Sequence, residues 1–253
     1  LPRVLEEVSG LATAPDGRVF AHHDEAAVVY QVDPFTGDVP KAFAAGIGGM
    51  PGDFEGMAIV GDRFFLSTSR GELVEITEGA DGSGGDYRYH RTGLGEFCEL
   101  EGLAYDAAQD ELLMPCKEPW APDLEDHVVV FALPLQTLRP YRIPRVFVPL
   151  EELERFDLDP EFSPSAIEVH PETGGILLLA AREEAILELS PTGALVDGRE
   201  LKRKEHPQPE GIAILPDGTL LIADEGQGKR GRITRYDPLT SAPTPGAAGE
   251  GGS

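Results

Sequence analysis

The stretch Gln208–Glu225, QPEGIAILPDGTLLIADE, decides the fold. It holds an apolar run opened by Glu-Gly, a Pro-Asp-Gly turn and a second apolar run, which reads as strand, turn, strand. Outward from it, the opening Glu210-Gly-Ile-Ala recurs as Ser9-Gly-Leu-Ala, Glu55-Gly-Met-Ala, Glu101-Gly-Leu-Ala and, more loosely, Ser165-Ala-Ile-Glu. The starts lie 46, 46, 64 and 45 residues apart. Each opening leads through a turn into a second run, as in PDGRVFAHHDE, VGDRFFLSTSR, AQDELLMPCKE and PETGGILLLAARE. A third run follows in every unit and a fourth in several, as in KAFAAGI and YRIPRVFVPL. Four strands at this period form the pattern of a β-propeller blade.

The chain is therefore expected to be all-β, a single propeller over residues 1–238 with five four-stranded blades. The alternative is a six-bladed ring with a degenerate blade hidden in the 64-residue third unit. The last unit runs out after Tyr236-Asp-Pro, while the extended segment Pro2 to Val8 precedes the first. The N-terminal strand is thus expected to complete the last blade and close the ring, removing an unpaired edge. An insertion is expected near residues 150–163, where LEELERF, from Leu150 to Phe156, is a short helical stretch. Residues 239–253, ending PTPGAAGEGGS, read as a disordered tail.

Of the 253 residues, 45 are acidic and 21 basic, a formal charge of −24. Nucleic acid and anionic membranes are poor partners for such a chain, because counterion release needs clustered Lys and Arg. No apolar run is long enough for a spanning helix, and LPRVLEEVSG lacks the order of a signal peptide. That leaves a cytoplasmic protein, or one whose leader or anchor precedes Leu1.

In a propeller the loops opening the first strands and those joining second to third strands meet on one face. The repeat gathers Ser9, Glu55, Glu101, Ser165 and Glu210 there, with His23-Asp24-Glu25, Ser69-Arg70, Lys117-Glu118, Arg182-Glu183 and Asp224-Glu225. Seven carboxylates (Glu25, Glu55, Glu101, Glu118, Glu183, Glu210, Glu225) face three cations (Arg70, Lys117, Arg182), an excess of four negative charges. Carboxylates this crowded do not all ionise without compensation. Ca²⁺, which takes six to eight oxygen ligands in flexible geometry, suits such a ring better than Zn²⁺. The competing reading pairs the cations with neighbouring carboxylates, solvates the rest and leaves Glu-Gly as a strand-opening device. Asp24, Arg70, Lys117, Arg182 and Asp224 are expected to line the site.

These segments resemble the SdiA-regulated family of bacterial propellers. The likeness rests on His23-Asp24-Glu25, Asp53-Phe-Glu-Gly-Met-Ala, Glu101-Gly-Leu-Ala-Tyr-Asp, Lys117-Glu118, Ser165-Ala-Ile and Gln208-Pro-Glu-Gly-Ile-Ala with Asp224-Glu225. It implies a propeller, an extracytoplasmic location (periplasmic, secreted or membrane-anchored) and calcium, but no known reaction. The second blade departs from the pattern, with Thr68-Ser69-Arg70 where an acidic residue is expected before the arginine. More distantly the chain is similar to lactonase and gluconolactonase propellers, in which a strand-opening glutamate followed by glycine holds a central metal. Glu55, Glu101 and Glu210 are the matching positions.

Cys98 and Cys116 fall at the same end of an expected hairpin, so a disulfide or two buried thiols are both open. The six histidines show no HExxH spacing, and no GxSxG elbow or P-loop occurs. His23, beside Asp24, is the candidate general base over a metal-bound ester or lactone. Trp120 overhangs the same face as a pocket wall or a cover for its blade. Two functions follow: a binding module for a small molecule, glycan or protein at the channel mouth, or a metal-dependent hydrolase of an ester, lactone or phosphoester. A monomer is expected in either case.

Overall fold

Repetition of one four-strand unit gives five small antiparallel sheets, each running in sequence order outward from a central channel. The computed structural model describes residues 1–238; the tail assigned to 239–253 lies outside the described residues. The first blade comprises Val8–Thr13, Val19–His23, Val28–Val32 and Lys41–Ala45. The second comprises Phe54–Val60, Arg63–Thr68, Glu72–Thr77 and Tyr87–Arg91. In the third, a split inner strand, Cys98–Leu100 and Ala104–Asp106, precedes Glu111–Pro119, His127–Pro134 and Val146–Pro149. The fourth holds Ala166–Val169, Ile176–Ala180, Ala185–Leu189 and Leu195–Glu200, and the fifth Pro209–Ile214, Leu220–Asp224 and Arg232–Tyr236.

Because each blade is covered on both faces by its neighbours, second strands are buried almost throughout rather than alternating, as Ile176–Ala180 and Leu220–Asp224 are at all five positions. Every gap between blades holds its own apolar cluster. Phe64 of the second blade meets Phe20 and Phe43 of the first edge-to-face, with centroids 4.9 and 5.0 Å away. Val19 and Leu221 belong to the cluster between the first and fifth blades, so the ring is closed by packing.

The closing segment differs from the expected strand. Arg3–Leu5 forms a 3-10 turn, and among the described residues the fifth sheet has three strands. The segment still ties to that blade, since the Leu1 ammonium donates to Gly231 O at 2.8 Å and Gly226 N donates to Glu6 O at 2.7 Å. Pro2 has no N–H to offer a ladder. The turn also drives Leu5, fully buried, into the gap between fifth and first blades.

The long third unit does not hide a sixth blade. Its extra residues form a 3-10 helix, Leu150–Phe156, and a loop that sink Leu153, Leu158 and Phe162 into the gap between third and fourth blades. A second feature absent from the repeat is the strand Ser83–Gly85, which leaves the second blade and pairs parallel with Lys41–Ala45 of the first. Glu78 reinforces that strap. Hydrogen bonds from Arg18 and then Lys41 of the first blade draw its carboxyl down to about 2.

Candidate active site at the channel mouth

The Glu-Gly signature has a local cause. Phe54 pairs with Thr68 and Gly56 with Ser67, which leaves Glu55 as the extra residue of a β-bulge. Glu210 is the extra residue between Pro209 and Gly211, and Ser9 between Val8 and Gly10. In the third blade the inner strand breaks after Leu100 and Glu101 stands at the break. A bulge re-aims its extra side chain out of the pleat, here toward the channel mouth. The glycine that follows lets the inner strands close up. A Cβ on Gly56 would lie 2.4 Å from the carbonyl carbon of Gly102, whose N–H donates to Glu55 O at 2.7 Å.

Three carboxyl groups from three blades therefore converge on one ammonium. Lys117 Nζ pairs with Glu101 Oε2, whose side chain is 7% exposed. Burial first, then the charges of Glu101 and Asp53, pushes Glu55 up to about 8. Glu101 is raised by burial and by the adjacent Glu210, against the pull of Lys117. Glu210 is raised by burial, with hydrogen bonding to Glu101 and Gln208 opposing. Burial alone would lower Lys117, but Glu101, Glu55 and Glu210 together hold its proton more tightly than usual. Burial and mutual repulsion thus bias the cluster toward holding protons that free carboxyls release below neutral pH.

Beside Glu101 and Glu210 opens a cleft of about 340 Å³, lined also by Lys117, Arg182, Arg203 and Gln208. Arg203, from the connection between the fourth and fifth blades, and Gln227, from the loop joining the second and third strands of the fifth, also line it; neither belongs to the positions that the repeat gathers.

The other expected residues are spread along the rim. Glu118 is exposed and pairs with Arg182 at 3.2 Å. Glu183 accepts from Ser163 N at 3.0 Å, and Glu25 and Arg70 are exposed. Asp24 stands near both Glu55 and Glu225, and Glu225 is raised by burial and then by Glu7 and Asp24. His23 accepts from Glu25 N at 3.2 Å and lies 5.7 Å from the Tyr30 ring, ordering its own loop. Asp224, 2% exposed, accepts from His206 at 2.9 Å and braces the fifth blade. Trp120 has an exposed side chain, and its backbone N–H donates to Phe97 O at 2.8 Å. As they stand, no three His, Cys, Asp or Glu side chains among the described residues are arranged to hold a metal ion.

Cys98 and Cys116 form a disulfide, with Cα atoms 5.6 Å apart. It lies three residues before Glu101 and immediately before Lys117, so it fixes both members of the ion pair. No helix among the described residues is long and apolar enough to cross a membrane.

Fold and site together define a five-bladed β-propeller with a carboxyl cluster at one mouth of its channel. No family model matches the chain, and no curated protein matches it. Solved structures do. A luciferin-regenerating enzyme is similar with a TM-score of 0.57 and 12% identity, over 93% of this chain and 92% of that one. A glutaminyl cyclase from Myxococcus xanthus has a TM-score of 0.57 and 15% identity, over 91% and 92%. An aldose sugar dehydrogenase from Streptomyces coelicolor, in its PQQ-bound form, has a TM-score of 0.54 and 14% identity, over 90% and 93%. At such identities the likeness is one of fold, and function is argued from the site.

Proposed function

We propose that the channel mouth takes up a Ca²⁺ ion on Glu55, Glu101 and Glu210, and that the propeller is an extracytoplasmic module presenting this face to a small molecule, glycan or protein. One buried and two half-buried carboxyls gathered around the single ammonium of Lys117, which pairs with Glu101 and feels the charges of Glu55 and Glu210, carry the reading. All three donors are hard oxygens, the type Ca²⁺ takes, and a dication would discharge what Lys117 leaves unbalanced. The resemblance of Asp53-Phe-Glu-Gly-Met-Ala and its counterparts to the SdiA-regulated family supports both the ion and the location. The buried disulfide is compatible with an oxidising compartment.

Protonation supplies the test. The folded protein holds a proton on Glu55 up to about 8, whereas the unfolded chain releases it near 4.5. In chelator, stability is therefore expected to fall as pH rises across that window, by up to about 1.4 kcal/mol per pH unit for each such proton. Ca²⁺ competes with those protons, so its effect on the melting midpoint should be larger at pH 8 than at pH 6. At a hundred times Kd it adds about 2.7 kcal/mol, roughly 5–10 °C for a chain of this length. Glu101→Gln should abolish the increment, and a midpoint equal in chelator and millimolar Ca²⁺ at pH 8 would sink the proposal.

A second reading, a hydrolase of an ester, lactone or phosphoester, is favoured by the cleft that begins at Glu101 and Glu210. When bound, the ion would polarise the scissile group. Arg182 and Arg203 would orient an anionic substrate, and His23 or a nearby carboxylate would accept a proton. A panel of lactones and esters assayed with Ca²⁺ should then show turnover that Glu101→Gln removes; no turnover on any of them leaves the binding module.

A further inference from the structure

The opposite mouth of the channel holds a larger cavity, about 490 Å³, walled by residues from all five blades. Its walls are mostly apolar, with Ile59, Leu103 and Ile214 among them, and its rim carries four prolines, Pro15, Pro171, Pro191 and Pro216. The rim turns pack on one another. A Cβ on Gly17 would lie 3.5 Å from Pro216, and one on Gly174 the same distance from Pro191. Prolines in mutually packed turns leave little to order on binding, so the cavity is preformed.

One residue breaks the repeat here. The fourth place of the blade motif is alanine in four blades, Ala12, Ala58, Ala104 and Ala213, but glutamate, Glu168, in the fourth blade. The alanines fill the gaps between blades. Glu168 occupies the corresponding gap between fourth and fifth blades, enclosed by protein yet reached by solvent through the cavity it lines. Val169 N donates to its Oε1 at 2.8 Å, and the Ile214 N–H also bonds to it. The other acidic groups of the lining are Asp106, already paired with Arg145, and Glu172; His170 is the one other ionisable base, and neither Lys nor Arg lines the cavity. Thr13, also on the wall, carries a buried hydroxyl with no hydrogen-bond partner among the described residues.

A carboxyl placed where four sister positions need only a methyl costs desolvation, and nothing in the cavity supplies its counter-charge. We propose that this second mouth is a binding pocket for a small organic cation, an ammonium on an apolar body, with Glu168 as its counter-ion. The apolar walls take the body, the carboxylate takes the ammonium, and the absence of lining cations together with the acidic rim excludes anions. Burial pushes the free Glu168 carboxyl up to about 8, and an incoming ammonium restores its ionised form. The pocket lies on the face away from Glu101, so it stands or falls independently of the calcium reading.

Benzylamine, benzyl alcohol and phenylacetate have nearly the same shape and differ in charge, which makes them the probes. Benzylamine is expected to bind saturably with a Kd on the order of 1 mM, shifting the methyl resonances of Ile59, Leu103 and Ile214. The alcohol and the acid should bind at least tenfold more weakly. Glu168→Gln should lose the amine preference while keeping its shape, and Glu168→Ala, which restores the residue of the other four blades, should fold and lose it as well. Equal binding of amine and alcohol, retention of amine binding in both variants, or methyl shifts confined to the channel mouth near Glu101 would each overturn the proposal.

Discussion

Gly56→Ala is expected to cost the fold about 3 kcal/mol or more, or to prevent folding, although it adds a single methyl group. The new Cβ would lie 2.4 Å from the carbonyl carbon of Gly102, 2.5 Å from Leu103 N and 2.8 Å from Gly102 Cα. All three are backbone atoms of the neighbouring inner strand, so no rotamer change relieves the clash. The strands would have to part, breaking the bond from Gly102 N to Glu55 O between neighbouring inner strands. Gly211 is less demanding, because its Cβ would meet Ala223 Cβ, Leu11 Cγ and Leu11 N at 3.1 Å. Gly85, with nothing within 4 Å and ordinary φ, is the matched control, and Gly85→Ala should stay within about 0.5 kcal/mol of the parent. Denaturant melts of the three variants decide the matter: a Gly56→Ala midpoint equal to the parent's would show that the inner strands are not in the contact described.

That glycine shows how far the sequence reaches. The blade count, the insertion with its short helix and the nearness of the two cysteines were legible because each rests on local pattern: a repeat, a Leu-Glu run, two cysteines at one end of a hairpin; that they are bonded rather than free thiols came from the structure. The repeat also placed Glu55, Glu101 and Glu210 on one mouth. It could not show that Glu55 and Glu210 reach the axis because each is the surplus residue of a bulge, since a bulge is a property of pairing and the strings for bulged and unbulged strands look alike. Nor could it separate these three from Glu25, Glu118 and Glu183. The repeat brings the openings of the first strands and the loops joining second and third strands to the same mouth, but on those loops Glu118 finds Arg182 and Glu183 caps Ser163 N. The N-terminal segment was read as a strand from its place in the chain, whereas Pro2 and the burial of Leu5 decide for a turn. Glu168 was visible as a mismatch to the repeat, but only the cavity beside it gave the mismatch a meaning.

Removing the cystine is expected to be the other large effect, and it should reach the site as well as the fold. Cys98 and Cys116 close a loop of 18 residues' separation, for which the chain-entropy argument gives about 3 kcal/mol, or roughly 6–12 °C in the melting midpoint. Both are buried, Cys98 completely, so Cys98→Ala with Cys116→Ala replaces small apolar groups with smaller ones and leaves no polar atom unpaired. The consequence at the channel mouth follows from position. The bond joins the segment leading into Glu101 to the residue before Lys117 across a pair of strands whose register already shifts between Glu99 and Leu100. Without it, nothing covalent holds that irregular junction, and the Glu101 carboxyl is free to turn toward solvent. Contact with water relieves the burial that raises its proton affinity, so the double variant should lose part of the pH-dependent destabilisation between about 4.5 and 8 along with its thermal stability. Reduced wild-type protein should behave the same way. If the double variant melts at a lower temperature with an unchanged pH profile, the disulfide serves the fold alone and the geometry of Glu101 is held by the strands.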